Sequence, residues 1–121
     1  MKRYIVLYLA PLSVAERFAR ATPEEAAKGM ELWVDWSNRI GAGLVDGGKP
    51  LGNARRITPT GISETDSGVI GMSILQATSM DEALTMVGDH HHLHWAEQCE
   101  IVVLEEQPIP ELQTARIDSP R

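Results

Sequence analysis

The start of the chain constrains the fold more than any other segment, because residues 2–9 are apolar on both sides of an extended backbone. Successive side chains of a strand point to opposite faces. One face would carry Tyr4, Val6 and Tyr8, and the other Ile5, Leu7 and Leu9. β-Branched and aromatic residues favour a strand here, and Pro11 predicts its end. Both apolar faces must therefore be covered, by the rest of the fold or by a partner.

Two later segments also have the pattern of strands. Residues 100–104 are again apolar on both faces, with Ile101 and Val103 opposite Val102 and Leu104. Residues 69–77 place Ile70, Met72 and Ile74 on one face and the small residues Gly71 and Ser73 on the other. Small side chains on a covered face leave room for a facing helix or for a ligand.

Helices are predicted between these strands. The longest begins at Thr22, where Thr22 and Glu25 have capping-box spacing and Pro23 takes the first helical position, and it ends near Gly41. A short helix is expected over 13–20, and another over 80–87 after Ser79, ending at Gly88.

The middle of the chain is rich in turn residues. Residues 44–52 contain three glycines and one proline, and this composition predicts an irregular connection. Residues 53–58 predict a short strand, and residues 59–68 a polar loop. The glycines lack the spacing of a phosphate-binding fingerprint, so no nucleotide site or other cofactor is predicted.

The order of elements is strand, helix, strand, strand, helix, strand, with the middle strands joined as a hairpin. This order predicts an α+β, ferredoxin-like βαββαβ fold, with a four-stranded antiparallel sheet and helices on one face. We expect the first and last strands to be central. Because both are apolar on each face, a second copy should cover the open face, giving a homodimer with a barrel-like core.

Composition narrows the function classes. The 121 residues suit one domain, here 1–106, followed by a tail or dimer arm over 107–121. A net charge of −6 argues against nucleic acid as a partner. A single cysteine fits a cytoplasmic protein, and no apolar run is long enough for a membrane span, so no membrane partner is expected.

Residues 2–106 resemble the YCII-related family of small proteins, which includes the DGPF-type domains. The resemblance rests on residues 2–8, on the Trp-bearing helix before residues 43–48, on residues 71–77 and 80–83, and on Asp89-His90 leading into residues 100–103. The family implies a dimeric α+β barrel. In YCII-type members a His–Asp pair has been proposed as an active site, and Asp89-His90 occupies the corresponding place. His91 stands where the family has proline, and the Asp-Gly-Pro-Phe motif is absent.

All four histidines lie at positions 90, 91, 92 and 94. If the backbone were extended, His90, His92 and His94 would point the same way and could hold zinc; in a helix, His90 and His94 would share a face. Alternatively, this segment is a polar loop past a helix end, where imidazoles bond backbone carbonyls. No metal is assigned from these patterns alone.

Acid–base chemistry is a further hypothesis. His90 would be the proton carrier, with Asp89 adjacent in sequence or Asp46 as a spatial partner that raises its pKa. The alternative role for Asp46 is a turn with Gly47. Ligand-binding candidates are Tyr8 and Trp36 as pocket walls, Arg56 as an anion anchor, and His92 and His94. Core or dimer-interface packing is the more frequent role for residues such as Tyr8 and Trp36, and simple solvation is the more frequent role for an arginine such as Arg56.

Three functions stay open at this level. The chain could be a small cofactor-independent enzyme that uses His90 on a small organic substrate. It could instead be a non-catalytic dimeric module that binds a small molecule or a protein, or a metal-binding protein. A closed pocket on which His90 and a carboxylate converge favours the enzyme, and a filled interior favours the module.

Overall fold

A computed structural model of the chain describes residues 1–109. The predicted tail or dimer arm, residues 107–121, falls largely outside this range. The strands are β1 (Lys2–Leu9), β2 (Leu44–Pro50), β3 (Arg55–Thr58), β4 (Gly61–Glu64), β5 (Val69–Ala77) and β6 (Glu100–Glu105). The helices are α1 (Leu12–Ala19), α2 (Pro23–Ile40), α3 (Met80–Val87) and α4 (His92–Trp95), with a 3₁₀ turn at Gly41–Gly43.

Four strands form one antiparallel sheet in the order β2-β5-β1-β6. The predicted α+β class and four-stranded antiparallel sheet are confirmed, and the strand order is compatible with a ferredoxin-like arrangement. β1 is central, as expected. The central position expected for the last strand is wrong, because β6 pairs with β1 and lies at the edge of the sheet formed within residues 1–109. No helix within residues 1–109 combines the length and apolar character needed to cross a bilayer.

The second strand of this sheet comes from a different segment than predicted. Residues 44–52 were expected to be irregular, yet β2 forms there and pairs with β5 through two register shifts. The shifts accommodate the glycine pair: Gly48 has a φ of +104°, and its N–H donates to the Asp46 carboxylate at 2.8 Å. A segment that looks like a turn locally thus becomes an edge strand through its partner.

The predicted strand over residues 53–58 exists, but outside the main sheet. Among the described strands β3 pairs with β4 and no other. β4 lies inside the segment predicted to be a polar loop, and the two strands form a separate hairpin. The hairpin follows directly from the Pro50–Gly71 end of the β2–β5 ladder. It therefore projects beyond the sheet.

The core lies on one side of the sheet, under α2 and α3. Tyr4, Val6 and Tyr8 of β1 are buried there, as the alternation predicted. On β5 the same side carries Ser73, Leu75 and Ala77, all fully buried. Because Ser73 and Ala77 are small, they make room for bulky side chains from the helices. The cluster is completed by Trp36, Ala83 and Val87.

The opposite face of the sheet is apolar, and no helix of residues 1–109 packs over its centre. Residues paired in register share a face, so two rows cross the sheet. These rows are Leu104–Ile5–Ile74 and Val102–Leu7–Met72. All six side chains are half-buried or exposed. We call this surface the open face.

Candidate functional site

The histidine segment turns back onto the core directly after α3. The His90 N–H donates to the Val87 carbonyl at 3.1 Å, and α4 begins two residues later. Of the extended, helical and loop geometries considered for this segment, the structure has a short helix over its second half only, so His90 and His92 are buried while His94 is exposed.

His90 is enclosed by aromatic rings. Its side chain is 0% exposed, and its ring centroid lies 4.9 Å from that of Tyr8, 5.0 Å from Trp33 and 4.6 Å from Trp36. His91 stacks on it at 4.3 Å. We call this group the His90 cage. Trp33 was missed as a site residue from sequence, since nothing local links the middle of α2 to a segment far along the chain.

The hydrogen bonds of His90 fix its tautomer. Nδ1 accepts the backbone N–H of His92 at 3.0 Å, so in the neutral ring the proton is on Nε2. Within the part of the chain that the structure describes, Nε2 is the one buried side-chain polar atom without a hydrogen-bond partner. The cage thus holds a neutral imidazole whose N–H faces aromatic surroundings.

The pKa of His90 is lowered to about 3, mainly by burial and to a smaller extent by the nearby His91, His92 and Arg39. Desolvation disfavours the charged imidazolium, and like charges act in the same direction. The acid–base hypothesis required a carboxylate that raises this pKa. In this arrangement His90 is neutral near pH 7 and can donate a hydrogen bond, but it does not hold an exchangeable second proton.

Asp89 points away from the cage. Its carboxylate pairs with the Arg39 guanidinium at 2.8 Å, and both side chains are largely exposed. Such a surface pair contributes about 0–1 kcal/mol. The Asp89–His90 hydrogen bond expected for a catalytic pair is not formed, and catalysis by these residues stays a prediction.

Asp46 is also occupied elsewhere. Its carboxylate accepts the Gly48 N–H at 2.8 Å and pairs with Lys49 at 3.3 Å. The backbone bond, followed by the contact with Lys49, lowers the pKa of this carboxyl. Asp46 therefore serves the bulge in β2, which is the turn role considered as its alternative, and neither of its oxygens bonds a histidine.

A directed hydrogen-bond chain runs beside the cage. Ser73 donates to the Gly47 carbonyl at 3.0 Å, so the Tyr8 hydroxyl, 2.9 Å from Ser73 Oγ, donates to that oxygen. The indole N–H of Trp33 donates to the same Gly47 carbonyl at 2.8 Å. Burial raises the pKa of Tyr8 to about 12, against the opposing effect of the Ser73 bond. Tyr8 is therefore an uncharged side chain that lines the cage, and its hydroxyl group is already hydrogen-bonded.

The other predicted ligand-binding residues are divided between core and surface. His92 Nε2 donates to the Leu9 carbonyl at 2.8 Å. Burial lowers the pKa of His92, although its bonds to the Leu9 and Glu100 backbone oppose this. His94 is exposed, and Arg56 lies on the projecting hairpin, where it donates to Thr65 at 3.1 Å. The structure does not bring these residues to one pocket.

Metal binding finds little support in this geometry. Over residues 1–109, which include every histidine, no three His, Cys, Asp or Glu side chains are grouped to hold a metal ion. The alignment expected for His90, His92 and His94 is wrong, because it needed an extended backbone and α4 rotates the third ring outward.

A cleft of about 290 Å³ lies on the outer side of the cage. It is lined by Leu32, Asp35, Trp36, Arg39, Asp89 and His91. Trp36 belongs both to the His90 cage and to the lining of this cleft. Its indole N–H donates to the Met86 carbonyl at 3.0 Å. Four of the lining residues come from α2 at positions i, i+3, i+4 and i+7, a spacing that places them on one helical face. That spacing was the available sequence signal for Leu32, Asp35 and Arg39. We call this the Trp36 cleft.

No protein-family model matches the chain, and the search of curated proteins found no match either. The resemblance to the YCII-related family therefore stays a prediction based on the motifs themselves.

Proposed function

We propose that this chain is a non-catalytic homodimeric module that binds a small organic molecule in the Trp36 cleft. One observation carries the choice over an acid–base enzyme: His90 lies in an aromatic cage, and no carboxylate of residues 1–109 is bonded to it. Both candidate aspartates are bonded to other groups. A filled interior is the outcome that distinguishes the module from the enzyme.

The lining of the cleft indicates the chemistry of the ligand. Leu32 is 43% exposed and supplies an apolar wall against which a flat ring can pack, while Trp36, only 2% exposed, closes the cleft behind it. Arg39 is paired with Asp89, whereas Asp35 has no ion pair among the residues that the structure describes. Two carboxylates and one guanidinium leave an excess of negative charge. The cleft therefore suits a small aromatic or aliphatic amine.

The homodimer is supported by the open face. Its two apolar rows would leave a broad hydrophobic surface in water on an isolated chain. A second copy offers the same surface, so an isologous twofold contact covers both at once. The resemblance to dimeric α+β barrels implies the same assembly.

Ligand titration tests the cleft. We expect phenethylamine to bind at least tenfold more tightly than 3-phenylpropanoate, which has a similar apolar body and the opposite charge. Asp35→Asn should abolish this preference, and the control Asp81→Asn, an exposed acid on α3, should retain it. Calorimetry with parallel NMR spectra of the indole N–H groups provides the measurement. If neither probe binds at millimolar concentration, or if the carboxylate binds better, the ligand assignment is wrong.

Light scattering after gel filtration tests the assembly. Val102→Glu places a charge on the exposed part of the open face and should convert the dimer to a monomer. Leu84→Glu changes an exposed leucine on α3, away from the open face, and should leave the dimer intact. A wild-type monomer at micromolar concentration would contradict the homodimer.

The unpartnered His90 Nε2 favours a second function. A buried donor without a partner requires an explanation, and a neutral imidazole can stabilise a developing oxyanion as a hydrogen-bond donor. Opening of the cage at His91 would give a substrate carbonyl access to this N–H. A substrate screen that finds turnover in the wild type and none in a folded His90→Phe variant would establish this function and displace the module.

A further inference from the structure

The β3–β4 hairpin is an amphipathic ribbon with its apolar face in water. Cross-strand pairing puts Arg55, Ile57, Ile62 and Glu64 on one face, and Arg56, Thr58, Gly61 and Ser63 on the other. Ile57 is 76% exposed and its partner Ile62 is 72% exposed. An isolated two-stranded hairpin is marginally stable in water, and its apolar pair gains stability only when another surface covers it.

α2 has an uncovered apolar stripe of its own. Trp33, Trp36 and Ile40 pack against the core, but Met30 and Val34 lie on a different side of the helix and are 63% and 47% exposed. Ala27 lies three residues before Met30 and seven before Val34, and it is also exposed. These three residues form a continuous stripe. We call it the α2 stripe.

The hairpin and the Pro23 end of α2 lie toward the same end of the sheet. Trp33 is anchored at Gly47, in the middle of β2, and β2 ends three residues later at Pro50. From Trp33 the helix continues toward Pro23, a rise of roughly 15 Å at 1.5 Å per residue. The hairpin leaves from the Pro50 end as well. Within one chain, however, both apolar surfaces stay exposed.

We propose that the hairpin of one copy packs on the α2 stripe of a second copy. The apolar pair Ile57 and Ile62 would cover Met30 and Val34, and twofold symmetry would form the contact twice. The charges of the hairpin and of α2 are complementary, which favours the hairpin of a second copy as the partner of the α2 stripe. The hairpin strands carry two arginines and one glutamate, whereas residues 23–32 of α2 carry three glutamates and one lysine. Arg55 shares the apolar face of the hairpin, and Glu31 borders the α2 stripe.

Cysteine cross-linking between copies tests this contact, which rests on the proposed homodimer. In a Cys99→Ser background, Ile62→Cys protein is mixed with differently tagged Met30→Cys protein, exchanged and oxidised. Both sites are exposed, so the substitutions should not disturb folding. The matched control replaces Ile62→Cys by Ser63→Cys, on the opposite face of the hairpin. We expect at least tenfold more cross-link from position 62 than from position 63, measured by mass spectrometry.

The outcomes separate this contact from the homodimer itself. A dimer by light scattering with equal or absent cross-linking from position 62 overturns the hairpin contact and leaves the open-face dimer standing. A monomer overturns both. In the Val102→Glu variant, which should be a monomer, the cross-link from position 62 should fall to the level from position 63, and a cross-link that persists there overturns the dependence of the hairpin contact on the homodimer.

Discussion

At the scale of single residues, burial rather than residue type decides what His90 does. An imidazole with one nitrogen bonded to a backbone N–H and the other facing aromatic rings has one tautomer and one charge state. Its neighbours His91 and His92 also have pKa values lowered by burial. The histidine cluster is therefore mostly an uncharged packing element, with His94 as its exposed member.

Acid should weaken the fold through His90. Its pKa is about 3 in the folded chain and 6.5 ordinarily, so between these values the unfolded chain binds a proton that the folded chain does not. The stabilisation is complete above the ordinary value and is lost as pH falls toward the folded value. The expected slope is about 1.4 kcal/mol per pH unit for one proton. Denaturant titrations at several pH values measure it, and His90→Phe should reduce it. An unchanged slope in that variant would contradict this account.

Substitutions of His90 separate packing from hydrogen bonding. His90→Ala leaves a cavity among aromatic rings and should lower the free energy of unfolding by about 2–4 kcal/mol. His90→Phe keeps the ring and removes the unpartnered Nε2–H, but leaves the His92 N–H unbonded, so it should cost roughly 1–2 kcal/mol. The exposed His94→Ala serves as a control and should change stability by less than about 0.5 kcal/mol. Equal losses of unfolding free energy for His90→Ala and His90→Phe would show that packing is not the main contribution of His90 to stability.

At the scale of elements, the bulge in β2 holds the edge of the sheet in place. Gly48 has a φ of +104°, and a Cβ there would overlap the Met72 carbonyl and lie 2.6 Å from Ser73 Oγ. The Asp46 carboxylate is bonded across the same bulge. Strand pairing, the turn and the Tyr8–Ser73–Gly47 chain therefore depend on one glycine.

Gly48→Ala should be strongly destabilising. Strain in the positive-φ region and the overlap with β5 together should lower the free energy of unfolding by about 3 kcal/mol or more. Gly52→Ala is the matched control, because a Cβ at Gly52 meets nothing within 4 Å. It should change stability by less than about 1 kcal/mol. Equilibrium urea unfolding compares the two, and similar values for both would refute the importance of the bulge.

Elements with a strong local pattern were predictable, and those defined by distant partners were not. Alternation gave β1 and β5 with their observed bounds, and the Thr22–Glu25 capping box marked the start of α2. β2 was missed because the pair Gly47-Gly48 indicates a turn, and only pairing with β5 makes it a strand. The candidate site was predictable as a segment but not as a geometry. Whether Asp89 faces His90 or Arg39 depends on packing that sequence spacing does not report.

At the scale of the whole molecule, one chain buries a core on a single side of its sheet. The open face, the α2 stripe and the hairpin pair all leave apolar side chains in contact with water. Formation of the proposed homodimer would stabilise a chain with three such surfaces, because apolar surface removed from water contributes roughly 25 cal/mol per Å².

Thermal stability should therefore depend on protein concentration. Association stabilises the folded state by mass action, so Tm should rise by several degrees between low micromolar and high micromolar protein. The Val102→Glu variant should show a lower Tm without this dependence. Differential scanning fluorimetry over a dilution series is sufficient, and a wild-type Tm that is independent of concentration would argue against an obligate dimer.

The placement of the three tryptophans has a practical consequence. Trp36 is buried and Trp33 is half-buried, and both donate their indole N–H groups to backbone carbonyls, whereas Trp95 is exposed and packs against Phe18. Hydrogen exchange at the first two should follow opening of the core, and exchange at the third should be fast throughout. Quenching of Trp95 emission by iodide should likewise proceed while the other two indoles stay shielded. The chain thus carries its own spectroscopic probes, two for the interior and one for the surface.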